Sequence, residues 1–220
     1  MKTVYLMVLV LFAHLVPAAQ SKKFTVTLNP FSFVERDGGF TPGIGYNLNN
    51  RVALYTDLGL IFFSAGKYVG GLVDTDRSFG YKFKPAVRFY VNNNEVPRGS
   101  FFDLEGLYKH VVYNATEEID VLDNNGNFAY TYIGGYTIKK DVYGFAVKYG
   151  HRSFLDKERR LGLDVFIGLG GRTKDFVVRD LPAGVAMDND PFSETRPFSF
   201  FWRRGGAAYM PAGVKLFYSF

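Results

Sequence analysis

Two side chains in this sequence stand at a spacing used by nucleophilic chemistry. His151 and Ser153, within GHRS, put an imidazole two residues from a hydroxyl. An imidazole that takes the hydroxyl proton turns serine into a nucleophile, provided a carboxylate orients the ring. No Glu stands at an evident distance to do so, and so short a spacing is common by chance; a turn histidine is the expected reading. His110, beside Lys109, reads as an interfacial side chain of a strand. With His14 the only other histidine and no cysteine in the chain, His-based metal sites have too few ligands, and thiolate sites and disulfides are excluded. The acids of DTD (Asp74 and Asp76) and DND (Asp188 and Asp190) offer oxygen ligands for Ca²⁺, but neither run continues into an EF-hand loop, so solvated loop acids are expected. GLGG before Arg172 follows a strand pattern but opens no helix, which removes a nucleotide-binding reading. The residue types therefore predict no catalytic, cofactor or metal site.

The elements that carry these residues are strands. At the end of the chain, GGAAYMPAGVKLFYSF sets Met210, Ala212, Val214, Leu216, Tyr218 and Phe220 against Gly213, Lys215 and Ser219. Strands show alternate residues to opposite faces, so one face is apolar and aromatic, the other small or polar, as in a barrel strand between lipid and a polar lumen. At the other end, Lys2, the apolar run VYLMVLVLFAHLV and the small residues of VPAAQS form a secretory signal peptide over 1–20, with cleavage expected between Ala18 and Ser21. Residues 21–220 are then one domain. Phe and Tyr dominate an aromatic content of 18%, which suits the girdles of a membrane barrel. The net charge of +5 falls to +4 without Lys2, and no Lys/Arg-rich block points to nucleic acid.

Alternation predicts eight strands: from about Lys23 to Val34, Phe40 to Leu48, Val52 to Phe63, Tyr81 to Val91, Phe101 to Tyr113, from about Ile133 to Gly150, Leu161 to Arg172, and the terminal strand. Connections near Asn49, Asn93 and Phe154 are short; those near Gly70, Asp123 and Asp190 are long, with a hairpin tip at Asn125-Gly126. HRSFLDKERR reads as a turn, ATEEIDVLDNNGNFAY as a long loop, and ERDGG as a short outer connection. Short turns on one side and long loops on the other predict an all-β fold, an eight-stranded antiparallel transmembrane β-barrel with turns in the periplasm and loops outside. Both ends of the mature chain then lie on the periplasmic side.

An eight-stranded barrel is just wide enough to be filled by its own side chains. The register sends Asp57, Lys82, Lys84, Arg88, Asp103, Glu105, Lys109, Lys148, Asp164, Arg172 and Lys215 inward, where charges need partners of opposite sign. A mixed-sign network that plugs the interior is expected, rather than a narrow channel. The loop from Thr173 to Arg204 combines Phe192, Phe198, Phe200, Phe201 and Trp202 with Arg196, Arg203 and Arg204, the residue types that dominate binding hot spots. It is the candidate recognition loop, or else the outer girdle of the last strand.

The hairpins KPAVRFYVNNNEVPRGSFFDLEGLYKH and YGFAVKYGHRSFLDKERRLGLDVFIGLGGR, with the closing GVKLFYSF, resemble the small OmpA-like outer-membrane barrels of Bacteroidota, and the last segment resembles their terminal β-signal. That resemblance implies a fold and a Gram-negative outer membrane, with lipid and lipopolysaccharide around the barrel and insertion by the barrel-assembly machinery, and no activity; the role expected is structural or binding, executed by the outer loops, as a component of or partner to a larger outer-membrane assembly. GHRS also resembles the His-x-Ser of outer-membrane lipid A deacylases, the alternative function, although Phe154 stands where Asn is expected and the turn lies on the wrong side for lipid A.

Overall fold

The computed structural model describes residues 24–33, 35, 37–64, 75–91, 98–122, 128–180 and 206–220. Ten antiparallel segments make eight staves. In chain order they are β1 (Phe24–Leu28), β2 (Asp37–Phe40), β3 (Pro42–Asn47), β4 (Val52–Ser64), β5 (Thr75–Tyr90), β6 (Gly99–Leu122), β7 (Phe128–Phe154), β8 (Leu161–Arg179), β9 (Gly206–Tyr209) and β10 (Ala212–Ser219). β2 and β3 form one stave, broken at Thr41 before Pro42; β9 and β10 form another, broken at Met210 and Pro211. The order β10-β1-β3-β4-β5-β6-β7-β8, with β8 also paired to β10, closes an all-β, eight-stranded antiparallel barrel.

Period-two alternation is what positions the interior. Along β4, Ala53, Tyr55, Asp57 and Ile61 are buried, while Leu54, Leu58, Leu60 and Phe62 are exposed. Outside the barrel runs an apolar face that continues through Phe83, Leu104, Phe145, Val147, Val165 and Ile167, all exposed. The turn end is tight. Asn49 Oδ1 accepts the backbone N–H groups of Arg51 and Val52 at 2.8 Å each. Asp156 accepts those of Arg160 and Leu161 at 2.8 and 2.9 Å, across a turn in which Arg159 adopts a left-handed φ of 56°.

Strand lengths depart from the alternation in both directions. β7 runs through Phe154, so the first residues of HRSFLDKERR belong to a strand and only the remainder turns. ATEEIDVLDNNGNFAY is largely a paired extension: β6 and β7 pair as far as Leu122↔Phe128, with a register shift between Val121 and Leu122, and the Asn125-Gly126 tip lies outside the described residues. β5 and β8 follow part of the way, to Thr75 and Arg179, so one side of the barrel stands taller than the other. The first strand, by contrast, stops at Leu28 instead of Val34. A 3₁₀ turn, Pro30–Phe33, replaces its upper half.

That early stop leaves a seam. β1 meets β10 only over Thr25–Leu28, opposite 216–219. Above it, among the described residues, β2 pairs with β4 alone and β9 with β8 alone. Pro30 and Pro211 stand at the two lips, and a proline cannot donate to a ladder. The 3₁₀ turn occupies the gap: buried Ser32 donates its hydroxyl within reach of Asn29 O (2.8 Å) and Gly39 O (2.6 Å). Phe31 and Phe33 remain exposed outside, with Phe33 6.4 Å from both Phe40 and Phe62, ring to ring.

Candidate functional site

The interior is built in three tiers. At the turn end, Arg88 donates Nε and Nη2 to the two oxygens of Asp103 (2.7 and 2.9 Å) and Nη1 to Asp164 Oδ2 (2.6 Å). Arg152 grips the same Asp164 through Nε and Nη2, at 2.6 and 2.7 Å. The four side chains are essentially excluded from solvent. Aromatic faces wall them in: the Arg88 guanidinium lies 3.5 Å from the Phe101 ring centre and 4.5 Å from that of Tyr55, and Arg152 lies 4.0 Å from Phe217. Planar guanidinium groups stack on rings while their edges meet carboxylates, which suits arginine to this dry space.

Above this knot, Lys148 pairs with Glu105 and Lys215 with Asp57 (2.5 Å), both lysines reaching toward Phe166. These two tiers balance cation against anion. The upper tier does not. There Glu35 and Asp37, from the tip of the first hairpin, turn inward. Lys82 donates to Glu35 at 2.8 Å, with Lys84 3.9 Å from its other oxygen. Asp37 accepts from Lys109 (2.9 Å), Lys140 (2.8 Å) and Tyr113 (2.6 Å). Arg172, on β8, stands beside Tyr209 of β9, its guanidinium 5.4 Å from the ring centre, and its buried Nε has no hydrogen-bond partner among the described residues.

The structure therefore brings all of the inward charges named from sequence to one interior, with Lys109 and Arg172 less deeply enclosed than the rest. Sequence reasoning missed four members. Arg152 and Lys140 share the even parity of Lys148; Lys140 lay within the strand as read, and Arg152 two residues past its expected end at Gly150. Glu35 and Asp37 were hidden in a segment read as an outer turn. The recognition-loop residues Phe192, Arg196, Phe198, Phe200, Phe201, Trp202, Arg203 and Arg204 lie outside the described residues.

His151 and Ser153 do not assemble as a nucleophile and its base. Both are exposed on the outer face, and the partner of His151 Nδ1 is Ser100 Oγ at 3.5 Å. His110 is also outward: Nδ1 lies 2.8 Å from Asp141 Oδ1, which accepts from Tyr108 at 3.1 Å, and Tyr81 packs on the imidazole with centres 5.5 Å apart. Of the DTD pair, Asp76 lies in β5 and Asp74 outside the described residues, as do Asp188 and Asp190.

An apolar outside and a salt-bridged inside define an eight-stranded antiparallel barrel whose lumen is filled by its own side chains. No protein-family model matches the chain, and no curated protein matches it by sequence. Among solved structures it is similar to the crystal structure of Acinetobacter baumannii CarO, at 12% identity and a TM-score of 0.41 over 90% of this chain and 96% of that one.

Proposed function

We propose that this protein is an integral barrel of a Gram-negative outer membrane that works as a structural or binding component through its long-loop end, within or beside a larger outer-membrane assembly. The observation that carries the reading is the filled interior. With Arg88, Asp103, Arg152 and Asp164 locked across the turn end, the barrel offers no conduit there, which argues against the channel reading and leaves the outer loops as the working surface.

The dimensions of the apolar face support the membrane. From the Phe89–Phe102 pair to the Phe79–Val112 pair is ten residues along β5. At ~3.4 Å per residue and a tilt of ~40° this spans about 26 Å of height, the thickness of a lipid belt. Tyr46, Phe102, Tyr149 and Tyr218 gather toward the turn end of the belt, and Tyr81, Tyr108 and Tyr143 near its other edge, as interfacial girdles do. On this reading lipid and lipopolysaccharide surround the barrel, the assembly machinery inserts it, and Phe192, Arg196, Phe198, Phe200, Phe201, Trp202, Arg203 and Arg204 supply recognition. Excising Ala183 to Pro197 tests it. Partners that co-purify with the full-length protein from native membranes should be lost while the shortened barrel still assembles; retention of every partner refutes the role given to this loop.

A further inference from the structure

The GHRS segment, which forms no catalytic pair, lines a cavity. At the turn end, between the foot of β6 and the β7–β8 hairpin, a cavity of about 550 Å³ is lined by Arg98, His151, Ser153, Asp156, Lys157 and Arg159 among others. Parity explains why these side chains meet. Ser100 and Phe102 on β6 lie opposite His151 and Tyr149 on β7, and all four are on the outer face. The ladder begins at Gly99↔Arg152, so exposed Arg98 continues it toward exposed Ser153.

The cavity carries an excess of positive charge. Asp156 is engaged in closing the turn, accepting the backbone N–H groups of Arg160 and Leu161 at 2.8 and 2.9 Å, and Glu158 pairs with Arg160 at 3.3 Å. Among the described residues, Arg98, Lys157 and Arg159 have no carboxylate within ion-pair distance, which leaves three cations against the charge of Asp156. Neutral donors stand between them. Ser100 Oγ accepts from the Tyr149 hydroxyl at 3.0 Å and can donate to His151 Nδ1 at 3.5 Å, an arrangement that keeps the imidazole proton on Nε2. A guanidinium fork with a hydroxyl and an imidazole N–H beside it suits the oxygens of a phosphate.

The depth of the cavity matches a headgroup. Tyr149 packs on Phe102, ring centres 5.2 Å apart, at the turn-end edge of the apolar belt. At ~3.4 Å per residue and a tilt of ~40°, His151 stands about 5 Å and Ser153 about 10 Å beyond that edge, across the headgroup layer. We infer that this cavity holds the headgroup of an anionic glycerophospholipid of the periplasmic leaflet, phosphatidylglycerol, with its phosphate among Arg98, His151 and Ser153 and its acyl chains running past Tyr149 and Val147 along the belt. This rests on the membrane reading above. Phosphatidylethanolamine fits less well, because its ammonium group meets three cations where the glycerol of phosphatidylglycerol brings only hydroxyls.

The test uses the mature barrel purified in dodecyl maltoside, with dipalmitoyl phosphatidylglycerol and dipalmitoyl phosphatidylethanolamine as probes and bound lipid read by native mass spectrometry. A single phosphatidylglycerol should be retained about tenfold or more tightly than phosphatidylethanolamine. Arg98→Gln/Lys157→Gln should abolish that preference, whereas Lys139→Gln/Arg179→Gln, which removes the same charge at the loop end, should leave it intact. If the first double variant gives no heat-modifiable band, Arg159→Gly, which suits the left-handed φ of 56°, replaces it and should weaken the preference. Excess glycerol 1-phosphate, the headgroup chemistry without chains, and hexaglutamate should not displace the lipid. The inference is overturned by equal retention of the two lipids (annular lipid only), by a preference that survives the cavity substitutions or is lost with the loop-end pair, by displacement with glycerol 1-phosphate (a soluble phosphate site), or by displacement with hexaglutamate (a face for acidic peptides). A parent chain that gives no heat-modifiable band overturns the membrane reading and this one with it. A heat-modifiable barrel without the lipid preference overturns only this one.

Discussion

Replacing Arg88 by leucine removes the centre of the turn-end knot, and the structure says which carboxylate suffers. Asp164 keeps the two hydrogen bonds from Arg152, but Asp103 loses both of its bonds to Arg88, the cation with which it pairs. With Asp103 only 4% exposed, its charge is left in a dry interior. Breaking a buried pair on one side costs on the order of 3–5 kcal/mol. At about 2–4 °C per kcal/mol for a chain of this size, the heat-modifiability midpoint should fall by roughly 6–20 °C. Arg152→Leu leaves Asp164 its bond to Arg88 but removes two charged hydrogen bonds, each worth about 1.5–3 kcal/mol, and leaves one cation between two buried carboxylates, so it too should lower the midpoint. The double variant Arg88→Leu/Asp103→Leu removes the pair whole and restores neutrality, so it should be more stable than Arg88→Leu alone, since apolar replacement of a complete buried pair is near neutral. Val87→Leu, on the outer face, is the control and should leave the midpoint unchanged. Should Arg88→Leu behave like Val87→Leu, or the double variant fall below the single one, the knot does not hold the barrel as argued.

Topology is checked with single cysteines on intact cells: an impermeant maleimide should label Asp123→Cys and Asp190→Cys but spare Asn93→Cys and Lys157→Cys, and the reverse pattern would invert the barrel. Purified protein should leave lipid A unaltered, and His151→Ala should behave like the parent, because His151 and Ser153 are separate outward side chains; measurable deacylation lost in His151→Ala would restore the enzyme reading. Ser32→Ala removes the hydroxyl that lies within reach of the Gly39 and Asn29 carbonyls inside the seam filler. It should cost about 1–3 kcal/mol, visible as a lower midpoint and faster proteolysis at 30–36; unchanged behaviour would show that the filler is held without it.

What this sequence determines by itself is whatever depends on parity. Side chains on a strand alternate with a period of two whatever the strand is paired to, so the inward set from Asp57 to Lys215 and the outward face from Leu54 to Tyr218 could be read without coordinates. Turn chemistry is equally local, and Asn49 shows it, bonding to residues two and three positions away. Strand length is not local. β6 and β7 persist to Leu122 and Phe128 because each pairs with the other, although their composition there reads as a loop. The place of Glu35 and Asp37 was beyond any pattern. They sit at the tip of a hairpin read as an outer turn, and only the lysines of β5, β6 and β7, 47 to 103 residues away along the chain, draw them inside. The same holds for the sharing of Asp164 between Arg88 and Arg152 and for the seam. Pro30 and Pro211 announce two breaks in the sequence, but it takes closure of the barrel, bringing the first stave against the last, to set those two breaks along one seam.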